Sequence, residues 1–525
     1  MNDQAVADFL AMQKFEKAAS TVTDDSLKSC EEQGSDDEDE AMIIAEDDKE
    51  ACDEIYRLVK SSLKFSNKKL YYKHQNIWIH DEPMIKSMLN VFVSEAGIMR
   101  PSSKILKGEG IDLVSYTAKR GVSINIANGV IDLATRNFDD AWTSKLFSSS
   151  LGKILFDNGY WDFKASEFHE TGSEAFDTSI IFVEKIPYKF RHIDTMSESE
   201  LDYINSIKKR LFYDPFGEKV GDYYCLKIAR GLAGDCQKNF MVCVGPTNTG
   251  KSLITGAIRS SIGGYFGAFN GGNMKYKAIE NNDAAQALRW MMFLQSKRII
   301  ASNELPMGFP LDANMMKKCS SGGVDSITAR CHGGNETDFQ VGFLPILFAN
   351  DINDIKPADD ALLERVKCIP YTRVCVENPQ NEFEMKKDEN LLQVEIYTDK
   401  FKMGFVWLML NAYKHFHEFS GRRECEPEGV AAAKKETLGE SGENIIEKFL
   451  KDFEITQVET DFVKSSAIKK WLEGTQISIT KFGLEMNKHA KLKSLKNVHS
   501  KDKKIGTKTI KVWFGIKEAE EDSEK

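Results

Sequence analysis

The feature that most restricts what this 525-residue chain can become is the octapeptide GPTNTGKS at 245–252. It matches GxxxxGK[ST], directly follows the apolar run NFMVCVG, and leads into the helix-like SLITGAIRSSI. Strand, loop and helix in this order make a phosphate cradle. Small residues let consecutive backbone N–H groups converge on one point, and the helix N-terminus adds its positive dipole end. The motif therefore predicts an α/β domain whose buried strand ends in a loop of Gly245, Pro246, Thr247, Asn248, Thr249, Gly250, Lys251 and Ser252. In that loop Lys251 bridges the β and γ phosphates of ATP and Ser252 holds Mg2+.

Further candidates follow in chain order. SKRIIASNELP predicts a strand from Arg298 to Ala301 that delivers Glu304, a carboxylate placed to polarise an attacking water and to reach Mg2+ through water. Asn303 stands before it where many phosphate-loop enzymes carry a second acid, so water activation is the firmer of its two roles. FLPILFAND predicts another strand, with Asn350 at its polar end positioned to sense the γ-phosphate. Fifteen residues later DDALLERVKCIPY offers Arg365, a guanidinium that could reach a neighbouring subunit's nucleotide. Between Glu304 and Asn350, SITARC and TDFQVGF alternate like strands around HGGNE. This predicts a hairpin that carries Arg330 and His332 beside glycines able to approach a phosphate backbone.

Charge is segregated along the chain. Residues 1–54 hold 18 acids against 4 lysines, a balance of -14 within a net charge of -10, which leaves +4 for the remaining 471 residues. Blocks of like charge without aromatics predict an acidic disordered tail over 1–54. Residues 464–517 hold 14 lysines against 3 acids, a balance of +11 that suits a polyanionic partner. There SSAIKKWLEG reads as one helix, and KFGLEMNKHAKLKSL, capped by Thr480 with Phe482, Leu484 and Met486 inward, as a second. LKNVHSKDKKIGTKTIKVWFGI then gives two β-rich runs around a Lys/Gly turn, completing a winged-helix-like pattern with Lys481 and Lys488 as DNA contacts.

The rest bounds the answer. No apolar run nears the roughly 18 residues of a membrane span, and the Met1 segment lacks a signal-peptide core. The ten cysteines include no CxxC pair and the nine histidines no HExxH or HxH, with His415 and His417 read as helix-surface residues. A soluble protein of a reducing intracellular compartment is expected. Residues 55–190 read as mixed α/β, with INIANGVIDLATRNF and ILFDNGYWDFKASEF each expected to form strand, Asn-Gly turn, strand. Residues 191–237 read as a helical collar, Ser197 capping a helix with Leu201, Ile204, Ile207 and Leu211 on its apolar face. The core spans 238–376, a helical region 377–458, the basic module 459–517 and a short acidic tail 518–525.

The order GPTNTGKS, RIIASNE, MMKKCSSGGVDSITAR, LFAN and ALLERVKCIPY resembles the superfamily-three helicases, and more narrowly the primase-helicase NTPases of large DNA viruses and related satellite-phage and plasmid replication proteins. The resemblance covers about residues 85 to 517. It implies an AAA+-like ATPase core assembling as a homo-hexameric ring on single-stranded or duplex DNA, with ATP between subunits. Lys251, Ser252, Glu304 and Asn350 would lie on one side and Arg365 on the other. It also implies a central DNA-tracking hairpin matched by Lys318, Asp325, Arg330 and His332. Two departures stand out: an extra residue in CSSGGVD, which leaves Lys317 and Lys318 both open as the matching lysine, and Glu364 in place of a basic residue before Arg365. No apolar strand carries the paired aspartates of a primase, so a separate primase or polymerase partner is expected. A viral source would place the protein at replication sites in the host cytoplasm or nucleus. The competing readings are a DNA-binding scaffold or loader that does not unwind, and a packaging or RNA-directed ATPase.

Overall fold

Alternation of apolar side chains along five short strands builds the central sheet. In chain order they are β1 (Phe240–Val244), β2 (Phe266–Phe269), β3 (Ile299–Ser302), β4 (Leu344–Ala349) and β5 (Val366–Pro370). All neighbours pair in parallel, in the order β2-β3-β4-β1-β5. The computed structural model describes residues 43–518 apart from 67, 102–112, 117–119, 278–283, 303–304, 306–309, 324, 331–335, 351, 353–354, 357–358, 419–420, 422, 438–444, 473–481, 484–485, 488, 491–492, 494 and 506–507.

A parallel sheet must be covered on both faces, and period-two alternation gives each face its own core. Met241, Cys243, Ile299, Ala301, Ile346 and Ile369 join the core shared with the helices Glu218–Ala233, Lys251–Ile262 and Asp399–Glu418. Phe240, Val242, Ile300, Leu347, Val366 and Cys368 point the other way. That second face is covered by the helix Ala313–Cys319 and by an antiparallel hairpin of Ser326–Arg330 and Glu336–Gln340, which inserts Ile327, Ala329 and Phe339.

The helical collar forms, with Ser197 and Glu200 in a capping box ahead of the helix Glu198–Lys208. Ile204, Ile207 and Leu211 are buried as expected, whereas Leu201 is exposed on the outer face. His415 and His417 lie near the end of the long helix, His415 exposed and His417 partly covered against the Tyr413 ring.

Upstream, the packing divides the chain differently from the expectation. The helix Asp48–Val59 runs across the expected boundary at 54, with Ala51, Ile55 and Val59 buried and Asp47 capping it. The acids there occupy the exposed face of an amphipathic helix, so composition alone misassigned this stretch as part of the tail. The stretch INIANGVIDLATRNF is not a hairpin; it lies within the helix Arg120–Arg136. ILFDNGYWDFKASEF does form one, pairing Lys153–Phe156 with Gly159–Asp162. Ile154, Phe156, Trp161, Phe163, Ile186 and Phe190 belong to the core shared with the helices Glu218–Ala233 and Asp399–Glu418, while residues around Ile55, Leu89 and Val130 form a separate core.

At the basic end, the helix Ser465–Trp471 and the hairpin His499–Ile505 with Lys508–Phe514 enclose a core of Phe449, Ile468, Phe482, Met486 and Trp513. Phe482 and Met486 are fully buried, as read from the sequence; Leu484, Lys481 and Lys488 lie outside the described residues.

Candidate nucleotide site

The phosphate loop leaves the C-terminal end of β1, which lies between β4 and β5, and enters the twelve-residue helix Lys251–Ile262. Ligands of open parallel sheets bind outside these carboxyl ends, where neighbouring connections run in opposite directions. Two features force the residue choice in the loop. A Cβ at position 245 would come within 2.0 Å of the Tyr371 carbonyl oxygen, and Gly250 holds a left-handed φ of 88° as the chain turns into the helix.

The Lys251 ammonium is folded over the loop, donating to the carbonyls of Gly245 and Pro246 at 2.6 Å each and to Thr249 Oγ1 at 3.2 Å. Thr249 is buried and itself donates to the Pro246 carbonyl, fixing the turn from below. Pro246, Thr247, Asn248 and Ser252 are exposed along the rim. The segment after β5 braces the loop, because the Cys375 N–H donates to the Asn248 carbonyl at 2.7 Å. Burial pushes the Cys243 thiol beneath the loop up to about 12, so it is a neutral packing group.

Asn350 arrives beside this loop. The preceding carbonyl, that of Ala349, accepts from the Gly245 N–H, and Asn350 Oδ1 is buried with no acceptor-satisfying partner among the described residues. A buried amide oxygen in that state marks a place where a polar ligand or water fits. Backbone pairing of β3 with β4 ends at Ala301 and Ile346, and beyond it the Ser302 hydroxyl accepts the Phe348 N–H. Glu304 itself lies outside the described residues, as does His332.

Arg365 ends the short helix Asp360–Arg365, and its Nη1 donates to the carbonyls of Lys317 and Ser320 at 2.9 and 3.3 Å within the same chain. Those carbonyls terminate the helix Ala313–Cys319, so the guanidinium acts here as a C-terminal cap. Lys317 is tied to the same segment through Asp359 at 2.7 Å, whereas Lys318 is exposed. That hydrogen-bonded ammonium holds the Asp359 carboxyl below the usual carboxylate range. Asp359 also caps the 360–365 helix by accepting from Leu362 N–H; Asp ahead of ALLER is a capping signal the sequence does carry.

No family model matches the sequence. V13 of Sputnik virophage, provisionally named a helicase, is 30% identical over 393 residues, covering 72% of this chain and 46% of that protein. L207/L206 of Acanthamoeba polyphaga mimivirus, with the same provisional name, is 25% identical over 280 residues, covering 50% of this chain and 27% of its own length. The chain spans less than half of either relative. Among solved structures, an apo form of the C-terminal region of NrS-1 covers 88% of this chain and 98% of its own at 12% identity, with a TM-score of 0.43. Among the described residues no helix is long and apolar enough to cross a membrane, and no cluster of His, Cys, Asp or Glu could hold a metal ion.

Proposed function

We propose that this chain is an ATP-driven DNA helicase motor of the superfamily-three type, acting in replication of a viral or mobile genetic element. The observation that carries this reading is the phosphate loop at the carboxyl end of β1 with the unpartnered Asn350 amide oxygen beside it. The helicase names of the viral relatives support it. ATP fits the donor set: backbone N–H groups at the helix start and the Lys251 ammonium for the phosphates, and the exposed Ser252 hydroxyl for Mg2+. When bound, the metal neutralises charge on the transferring phosphoryl group. Lys251 exchanges its loop carbonyls for phosphate oxygens, Asn350 orients water, and Glu304 accepts the proton of that water. The reading includes an AAA+-like hexamer with DNA in its centre.

One observation favours the second reading, a nucleotide-dependent scaffold or loader without unwinding activity: Arg365 is engaged by its own chain's carbonyls. As a trans finger it would have to exchange them for a neighbour's phosphate on assembly. ATP hydrolysis with and without single-stranded DNA, for wild type and Glu304→Gln, separates the two. DNA stimulation that vanishes in the variant, followed by strand displacement by the wild type, is expected of the motor; nucleotide binding without hydrolysis in either protein establishes the scaffold.

A further inference from the structure

At the end of the sheet opposite the phosphate loop, Arg298 precedes β3 and is only 5% exposed. Its Nη2 donates to the Ser150 carbonyl at 2.8 Å and to the Ser150 hydroxyl at 3.2 Å. Among the described residues no carboxylate lies within ion-pair distance of the guanidinium. A buried cation without a counter-charge is costly unless something supplies one. The other large buried cation makes the contrast plain: Lys227 is matched by Glu424 at 2.5 Å.

Arg298 lines a cavity of about 430 Å3 between the segment around Ser148, the start of β3 and the base of the Ser326–Arg330 hairpin. The acids on its wall are already engaged. Glu184 takes Lys297 Nζ at 2.6 Å and the Ser296 hydroxyl at 2.5 Å, and Asp338, exposed at the rim, accepts from the Thr328 hydroxyl. Of the hydroxyls on the wall, those of Ser144 and Ser148 donate to the carbonyls of Ala141 and Ser144, whereas Thr143 Oγ1 is buried with no partner among the described residues. Gly322 and Gly323 hold left-handed φ of 68° and 71°, letting the chain pass close against Cys236 to close the floor.

We propose that this cavity is a second ligand site, binding a small phosphate-class anion through Arg298 and the Thr143 hydroxyl. The ligand is a free phosphate or pyrophosphate, or the phosphate of a mononucleotide, and a bound anion would join the 143–151 segment to the hairpin stem. Burial lowers the readiness of Arg298 to hold its proton, a penalty an anion would remove.

The test uses the full chain carrying Lys251→Ala, so that the phosphate loop contributes less, titrated calorimetrically with inorganic phosphate, pyrophosphate and AMP. Arg298→Met and Ser148→Trp, the latter at an exposed position on the rim, are each added to that background. Saturable binding that weakens about tenfold or more with Arg298→Met is expected, the effect of losing a charged hydrogen-bond donor. Should Arg298→Met fail to fold by circular dichroism, the same loss in Ser148→Trp decides. Tighter binding of AMP than of pyrophosphate assigns a nucleotide, and the reverse assigns the free anion. No saturable binding of any probe, or binding unchanged in the deciding variant, overturns the site. The measurement involves no hydrolysis and stands or falls apart from the helicase reading.

Discussion

The two basic-looking hairpins of this protein, both read from the sequence as DNA-contacting, differ in what they expose. On the stem of the motor hairpin, Ile327 opposes Phe339 inward, and the outward register pairs are Ser326 with Gln340, Thr328 with Asp338 and Arg330 with Glu336. One cation faces two acids. On the C-terminal hairpin, Lys501, Lys504 and Lys511 are exposed, Lys503 lies over the Phe462 ring at 3.6 Å, and Asp502 is the single acid. A lysine-rich ribbon attracts phosphates at long range and gives affinity that falls with salt. A stem with one cation and two acids gives little long-range attraction for phosphates.

That division is exposed to experiment. The largest effect is expected from Lys251→Ala, which should cut ATP hydrolysis by about a hundredfold or more while leaving DNA affinity intact. Loss of both in a filter-binding and phosphate-release comparison would break the separation between ribbon and motor. Next, Lys504→Glu with Lys511→Glu should weaken DNA binding about a hundredfold at low salt and reduce the slope of log affinity against log salt by about 2. An unchanged slope would demote the ribbon to a structural cap. Arg330→Ala should alter affinity by only about threefold, as for a half-buried charge at the edge of a stem, yet abolish the stimulation of hydrolysis by DNA. Retained stimulation would remove the hairpin stem from the coupling path.

The smallest effect concerns the helix ahead of the motor hairpin. The Asp359 carboxyl is held low by Lys317, so the folded state binds fewer protons there than the unfolded one. The contribution is present above the ordinary aspartate range and is lost as pH falls through the folded value. Thermal melts of wild type and Asp359→Asn should therefore differ at neutral pH and converge on acidification, by a small margin since the pair is partly exposed.

The central parallel sheet and its loop were the most legible part of the sequence, because GPTNTGKS and the apolar runs after it each specify a local structure that tertiary packing agrees with. The paired stretches INIANGVIDLATRNF and ILFDNGYWDFKASEF show where such reading fails. Both offer Asn-Gly, but the first is helical because Ile126, Val130 and Ala134 recur every four residues and all are buried. Its Gly129 answers a packing need rather than a turn: a Cβ there would lie 2.4 Å from the Cys52 sulfur on the facing helix. The burial of Ser302 against the Phe348 N–H depends on a strand distant in sequence and leaves no local signature. Arg365 illustrates the same limit, since its position in the motif order says nothing about the carbonyls of residues 317 and 320 that it meets in the fold.

One consequence of the shared core is practical. Trp161 meets Trp407 edge-on at 5.5 Å and Phe190 meets it at a tilt at 5.2 Å, and the Trp407 indole N–H donates to the Arg191 carbonyl. A fragment trimmed to begin at the collar or at the first central strand would lose half of that joint and leave the surfaces of the long helix bare. Anyone seeking the smallest crystallisable piece around the central sheet should therefore start the chain ahead of residue 150, treating the small sheet at 153–170 as a fixed part of that unit.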